Sequence, residues 1–156
     1  MNLTNKKILL TGATGFIGRH LTPLLLAKGC EVHGLHFGDT APKAAPGCQY
    51  HDVNILDTAA QERLLAELKP DYLLHLAWEA RPGIYWTSPA NLEWARASIT
   101  LFREFYRQGG RRGVAAGTCA EYHWADNGVY TENTPSLPPL TLYGASKAGF
   151  TQIVDA

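Results

Sequence analysis

Short apolar runs alternate along the chain with longer stretches of helical spacing. Ile8 to Thr11 is apolar and stops at Gly12, which predicts a fully buried strand. From Phe16 to Lys28 the apolar residues Ile17, Leu21, Leu24 and Leu25 recur at helical spacing, and Gly29 closes the segment. Pro23 falls inside this helix, where it removes one backbone donor. Val32 to Phe37 reads as a second strand, Gly38 to Gly47 as a loop, and Gln49 to Val53 as a short third strand. Asp57 is placed to cap a helix that reaches Leu68 and ends at Lys69-Pro70. Tyr72 to Ala77 is a fourth strand, apolar apart from His75. Ser88-Pro89 then opens a helix running to about Gln108, ended by Gly109-Gly110. Val114 to Gly117 reads as a fifth strand, residues 118–140 as a long loop, and Leu142 onward as a helix.

Strands alternating with helices predict parallel strands joined by right-handed crossovers. The expected fold class is α/β, a doubly wound parallel sheet of five strands. At 46% apolar residues, a chain of 156 residues can bury a core. Fourteen Lys and Arg balance fourteen Asp and Glu, leaving no basic excess to neutralise a phosphate backbone, so nucleic acid is not an expected partner. Cys30, Cys48 and Cys119 stand far apart in no metal-ligand spacing, so neither a disulfide scaffold nor a metal site is expected. No run approaches the roughly 18 apolar residues that span a bilayer. Ile8-Leu9-Leu10 is too short for a signal peptide, and a soluble, cytoplasmic protein is expected.

Thr11-Gly12-Ala13-Thr14-Gly15-Phe16-Ile17-Gly18 lies between the first strand and the first helix. Gly12 permits a tight turn, Gly15 lets the backbone approach a pyrophosphate, and Gly18 lets the helix pack close to the strand. Free amides at the helix start would face the phosphates. A turn needing its glycines for geometry alone is the competing reading, and the strand-turn-helix setting favours the phosphate site.

The same glycine segment resembles the extended branch of the short-chain dehydrogenase/reductase superfamily, the NAD-dependent epimerase/dehydratase family. The resemblance implies that Gly12, Thr14, Gly15, Phe16, Ile17 and Gly18 bind the cofactor. It also implies an Asp at the end of the second strand to hold the adenosine ribose. That place falls on His36, followed by Phe37, and Asp39 stands about three residues late. An acid near the 2′-hydroxyl would repel a 2′-phosphate, so its absence leans the expectation to NADP over NAD, with His36 or Lys43 available to assist. Asp52-Val53 resembles the family's pair beside the adenine. His75-Leu76-Ala77-Trp78 resembles the His-Leu-Ala-Ala segment whose backbone, at Leu76 and Ala77, runs beside the cofactor. His75 itself reads as a buried, hydrogen-bonded residue and not as a base.

Tyr143-Gly144-Ala145-Ser146-Lys147 sets Tyr and Lys four apart, on one face of a helix. A free phenol has a pKa of about 10, and a nearby ammonium favours the phenolate. Lowering a phenol by about three units corresponds to roughly 4 kcal/mol. Such a tyrosine can give a proton to a carbonyl oxygen or take one back. The family resemblance makes Tyr143 the acid/base, adds a contact of Lys147 with the nicotinamide ribose, and completes the catalytic set with Thr118. A hydroxyl at Thr118 can bond the substrate oxygen and orient Tyr143. Cys119-Ala120 stands where 4,6-dehydratases carry an Asp-Glu pair, which argues against that elimination. Glu121, one place late, could act as an acid or bind a sugar hydroxyl. Cys119 resembles a proton-donating Cys of some epimerase-reductases, although a small buried Cys is the favoured reading.

The segments Gly117 to Tyr122, Glu132-Asn133-Thr134-Pro135 and Thr141 to Lys147 resemble bacterial nucleotide-sugar epimerase/reductases, in particular dTDP-4-dehydro-6-deoxyhexose reductases. Trp78, Tyr85, Trp86 and Trp124 fall in loops at the carboxyl ends of strands, where they could stack on a sugar or nucleobase or simply pack the loops. Trp94 is expected in the core, at a place where the family often has an Asn, and Asn91 lies one turn earlier. Arg81 could pair with a phosphate or with Glu79. Family members are roughly twice this length and carry a six-stranded sheet. Residues 1–156 are therefore expected to be an incomplete NAD(P)-binding Rossmann domain, truncated before the sixth strand and lacking the C-terminal substrate-binding lobe. The resemblance further implies a homodimer through the helices at Ser88–Gln108 and Leu142–Ala156, and a nucleotide-sugar substrate. Three functions follow: a sugar-nucleotide reductase, an epimerase using the same redox step transiently, and a dinucleotide-binding module without catalysis.

Overall fold

Five strands, β1 (Lys7–Thr11), β2 (Glu31–His36), β3 (Gln49–Asp52), β4 (Tyr72–His75) and β5 (Arg112–Ala115), pair in parallel in the order β3-β2-β1-β4-β5. Among the described residues four α-helices accompany them: α1 (Gly18–Ala27), α2 (Thr58–Leu68), α3 (Ala90–Arg107) and α4 (Leu142–Val154). The computed structural model describes residues 3–38, 45–124, 129–131 and 138–156. Expectations placed on Asp39, Lys43, Glu132, Asn133, Thr134 and Pro135 lie outside the described residues. The chain divides into two compact units, Met1–Trp78 with Thr100–Ala116, and Glu79–Ile99 with Gly117–Ala156.

The first unit holds the whole sheet. Strand order reverses direction at β1, between β2 on one side and β4 on the other, which is the switch point of a Rossmann-like α/β fold. Right-handed crossovers place α1 and α2 on opposite faces, because β1→β2 and β3→β4 run in opposite directions across the sheet. Under α1, Ile8, Leu25, Cys30 and Val32 form a buried cluster, and burial pushes the Cys30 thiol up. On the other face Leu9 and Leu73 are paired in register and fully buried. Phe102, from the C-terminal part of α3, lies over Gly113, where an added Cβ would come within 2.6 Å of its ring. Each such buried side chain contributes roughly 1.5–3 kcal/mol.

Element boundaries depart from expectation where side chains intervene. α1 begins at Gly18 and not at Phe16, because the Gly15 amide bonds back to the Gly12 carbonyl at 3.0 Å and holds a turn. The helix continues unbroken through Pro23. β4 stops at His75 because the amides of Leu76 and Ala77 turn to the Thr11 hydroxyl, each at 3.1 Å. β5 starts two residues earlier than its apolar run, since pairing begins at Arg112 opposite Tyr72 and Gly113 makes room for Phe102. Asp57 caps α2 by accepting the Ala60 amide at 3.0 Å, and Lys69 ends it at φ +46°.

A polar chain ties the edge strand to β2. Glu31 Oε1 meets His33 Nε2 at 2.9 Å, and His33 Nδ1 meets His51 Nε2 at 2.9 Å. Burial, and then the neighbouring His33, hold His51 below the usual imidazole range.

In the second unit a short 3-10 turn at Cys119–Glu121 interrupts the expected loop, and α4 follows, capped by Thr141 accepting the Gly144 amide at 3.0 Å. Gly144 faces this turn so closely that an added Cβ would overlap the Ala120 carbonyl oxygen. Trp94, expected in the core, is half-buried, while Asn91 is fully buried and its amide donates to the carbonyls of Tyr85 and Ser88. Among the described residues no helix is long and apolar enough to cross a membrane.

Two glycines give opposite expectations. A Cβ on Gly18 would overlap the Gly12 carbonyl oxygen and lie 2.7 Å from Ala13 Cα. Gly18→Ala should destabilise by about 1–3 kcal/mol in urea unfolding. Gly149, inside α4, has nothing within 4 Å of its would-be Cβ. Gly149→Ala should stabilise by about 0.5–1 kcal/mol.

Candidate active site

In the first unit the glycine turn is built around Thr11. Its side chain is fully buried, and its hydroxyl oxygen accepts from the Leu76 and Ala77 amides while lying 2.7 Å from His75 Nδ1. Both lone pairs are used, so the hydroxyl proton goes to Nδ1, which fixes His75 as the neutral Nε2–H tautomer. His75 is thus a structural acceptor, in line with its sequence reading. Gly12 sits at φ +68°, and an added Cβ would stand 3.0 Å from the Ala77 nitrogen. The turn and the Leu76–Ala77 backbone are therefore brought side by side. Thr14, Gly15, Phe16 and Ile17 are exposed on the turn. Ile17 caps α1 with no side-chain hydrogen bond, so its side chain does not compete for the first-turn amides.

At the far end of the same edge, His36 pairs in register with Asp52, and the Val53 amide donates to the His36 carbonyl at 3.0 Å. His36 Nδ1 is buried without a hydrogen-bond partner. A buried ring nitrogen in that state fits a site that takes a hydroxyl or phosphate from a ligand. These features, the cradle that a Cβ would fill and the orphaned nitrogen, fit a dinucleotide.

The second unit gathers the other set. Thr118 and Glu121 form a reciprocal capping box. Thr118 Oγ1 accepts the Ala120 amide at 3.2 Å, and Glu121 Oε1 accepts the Thr118 amide at 2.8 Å. Glu121 is therefore engaged in positioning the turn. Cys119, expected to be buried, is exposed, because the turn directs Ala120 inward instead. Tyr143 and Lys147 lie one turn apart on α4 as the spacing predicts. The Tyr143 amide donates to the Trp86 carbonyl at 3.1 Å, and its ring meets Tyr85 and Trp86 edge-on at 4.9 and 5.8 Å. Lys147 is 4% exposed, with Nζ 5.8 Å from the Phe150 ring centre. Burial pulls its pKa down to about 8, against the opposing pull of Glu121.

The remaining residues singled out in the sequence take other places. Tyr85 and Trp86 pack on Tyr143, and Trp86 keeps 43% of its surface exposed. Trp124 packs on Tyr130. Arg81 forms a two-pronged pair with Glu79, at 2.9 and 2.8 Å, and its hydrogen bond holds the Glu79 carboxyl low. Sequence reasoning did not assign the capping role of Glu121 or the bonding of Thr11. Thr118-Cys119-Ala120-Glu121 carries the Thr-x-x-Glu capping signature in plain view.

The sheet order and the glycine turn define a Rossmann-like nucleotide fold. The chain belongs to the NAD dependent epimerase/dehydratase family, whose model matches residues 8–156. It is 30% identical over 156 residues to methionine adenosyltransferase 2 subunit beta of Xenopus tropicalis, a match covering 94% of this chain and 42% of the relative. It is 28% identical over 141 residues to dTDP-6-deoxy-L-talose 4-dehydrogenase (NAD(+)) of Aggregatibacter actinomycetemcomitans, covering 90% of this chain and 51% of that protein. The fold matches the Bordetella bronchiseptica enzyme WbmH in complex with NAD+ at a TM-score of 0.79 and 23% identity, covering 97% of this chain and 52% of that one. The chain spans about half the length of these relatives.

Burial of Lys147 has a signature in stability. An unfolded lysine titrates at about 10.4, and folding lowers Lys147 to about 8. Between those values the unfolded state binds the extra proton, so stability rises with pH. Relative to Lys147→Met, the wild type should gain up to about 3 kcal/mol between pH 8 and 10.5 at about 1.4 kcal/mol per unit. Urea unfolding across that range measures it. A pH-independent difference contradicts a lysine buried in this way.

Proposed function

We propose that the chain is the cofactor and proton-transfer half of an NAD(P)-dependent oxidoreductase acting on a nucleotide-linked sugar. The observation that carries this reading is Lys147, an amine buried to 4% exposure one helical turn from Tyr143. Burying an amine is unfavourable, and the placement beside a phenol gives it a use. The Gly12–Gly18 turn, with Thr14, Gly15, Phe16 and Ile17, would take the pyrophosphate. His36, Asp52 and Val53 would take the adenosine end, and the Leu76–Ala77 backbone would flank the cofactor. When bound, the nicotinamide supplies or accepts the hydride. Tyr143 donates its phenolic proton to the sugar carbonyl oxygen as that carbon is reduced, and takes it back in the reverse direction. Lys147 favours the phenolate and reaches the nicotinamide ribose. The Thr118 oxygen is held by the Ala120 amide, while its hydroxyl proton remains able to meet the substrate oxygen.

The relative named for dTDP-6-deoxy-L-talose supports a deoxysugar nucleotide substrate and the 4-keto-6-deoxyhexose reductase type. An epimerase would share the first redox step and return the hydride. The relative named as a subunit of methionine adenosyltransferase 2 supports a second reading, a dinucleotide-binding module within a larger assembly. NADP is the expected preference, because β2 ends in His36 and not in an acid. A homodimer and a cytoplasmic setting complete the reading.

Quenching of the four Trp on titration with NADH and NADPH tests the cofactor half. Saturable binding, tighter for NADPH, is expected, and no binding by either overturns it. In the full-length parent, Tyr143→Phe should lower turnover by about a hundredfold or more with cofactor affinity retained. Unchanged turnover removes Tyr143 from the mechanism.

A further inference from the structure

We propose that Tyr85 and Trp86 are positioning residues for the ring of Tyr143, a role that rests on reading Tyr143 as the proton-transfer group. The first amides of a helix have no partner within it. At the start of α4 the Thr141 hydroxyl takes the Gly144 amide at 3.0 Å. The Trp86 carbonyl, from the segment before α3, takes the Tyr143 amide at 3.1 Å. Trp86 therefore caps the helical turn that carries Tyr143. The rings of Tyr85 and Trp86 lie 4.5 Å apart at 31°. Both meet the Tyr143 ring edge-on, at 4.9 Å and 85° and at 5.8 Å and 90°. One dipeptide thus holds both the backbone and the ring of Tyr143.

The dipeptide is itself held in place. The Arg81 carbonyl accepts the Ile84 and Tyr85 amides at 3.2 and 3.3 Å, closing a turn. Asn91, fully buried in the first turn of α3, donates its side-chain amide to the Tyr85 carbonyl at 2.6 Å and the Ser88 carbonyl at 3.0 Å. Gly144, next to Tyr143, abuts the Ala120 carbonyl with no room for a Cβ. The cap uses only the Trp86 backbone, so it places no demand on the side chains. Trp86 also keeps 43% of its surface exposed, and core burial does not account for a tryptophan there. The aromatic contacts answer a separate need. Proton transfer requires the two heavy atoms within hydrogen-bond reach, and a misplacement of about 1 Å can cost a hundredfold in rate. A phenol bracketed by two rings is oriented before substrate arrives.

Amide hydrogen exchange on this chain tests the anchoring. The Tyr143 amide stands where helix amides ordinarily exchange freely, yet it should be protected. Asn91→Ala should speed its exchange about tenfold or more, with the amides of the α4 interior unchanged. An unprotected Tyr143 amide, or protection that survives Asn91→Ala, overturns the proposal. Should Asn91→Ala lose its fold, Tyr85→Leu decides. The ring-proton shifts of Tyr143, assigned by their loss in Tyr143→Phe, should move toward those of free tyrosine in Tyr85→Leu and hold in Tyr85→Phe. Unchanged shifts in Tyr85→Leu overturn the proposal. In the full-length parent, Tyr85→Leu should lower kcat and kcat/KM together by about tenfold or more. Tyr85→Phe keeps the ring and should restore both to within about twofold. A ring with a purely structural role leaves kcat of the folded variant unchanged, and a ring that stacks on substrate raises KM alone; either result overturns the positioning role. Tyr143→Phe separates the two levels. Full turnover in Tyr143→Phe removes Tyr143 from the mechanism and the positioning role with it. Lost turnover in Tyr143→Phe beside unchanged kcat in Tyr85→Leu overturns the positioning role alone.

Discussion

The Thr11 hydroxyl sets the geometry of the sheet's carboxyl edge. One oxygen at the end of β1 collects the two amides that follow β4 and gives its proton to His75. That arrangement ends the β4 ladder and steers Leu76 and Ala77 across the mouth of the glycine turn. Gly12 must then lack a side chain, because the Ala77 nitrogen occupies the place a Cβ would need. His75 is locked by the same bond and lies edge-on to Phe102 at 6.0 Å. A histidine at the end of an apolar strand is thus explained by hydrogen-bond accounting, its Nδ1 lone pair being taken by the Thr11 hydroxyl.

Two buried charges show how differently the chain handles desolvation. Glu104 on α3 is 4% exposed, yet Arg107 and Arg103 reach it at 2.5 and 2.9 Å, and that pairing holds its carboxyl low. Its charge is satisfied by folding alone. Lys147 is equally buried, but there desolvation outweighs the acid beside it and its pKa falls. Burying an amine costs stability, and an apolar residue of similar volume would avoid that cost. Retaining it leaves an amine that titrates at about 8, and ionisable groups displaced in this way cluster at functional sites.

Elements with a strong period or a clear stop signal were legible in the sequence. The Asp57 cap and the Lys69 end of α2, the Thr141 start of α4 and the parallel order of strands all follow from local chemistry and short-range spacing. The Tyr143–Lys147 pair was legible for the same reason, since a helix fixes what lies four residues away. What escaped depends on partners distant in sequence. β4 was read two residues too long because its terminator, Thr11, lies more than sixty residues away. β5 was read too late because Arg112 and Gly113 carry no apolar signal, while Phe102 fills the space Gly113 leaves. The exposure of Cys119 follows from a 3-10 turn whose capping signature was present but was read as candidate chemistry.

One edge of the first unit departs from the usual rules of burial. Phe16 and Ile17 are 75% and 56% exposed, Phe37 is 72% exposed, and next to Phe37 the His36 Nδ1 is buried with no partner. Exposed apolar groups and a buried polar atom left unpaired are each unfavourable in an isolated fold. Phe16 and Ile17 follow β1, His36 ends β2 and Phe37 follows it, all along the carboxyl edge where open α/β sheets bind ligands. Several other buried polar side chains of this unit, among them Thr11, His33, His75 and Glu104, are hydrogen-bonded. Departures of this kind along a ligand-binding edge are what a binding requirement imposes on a sequence. A dinucleotide would resolve these departures together, covering the apolar rings and giving the orphaned nitrogen a partner.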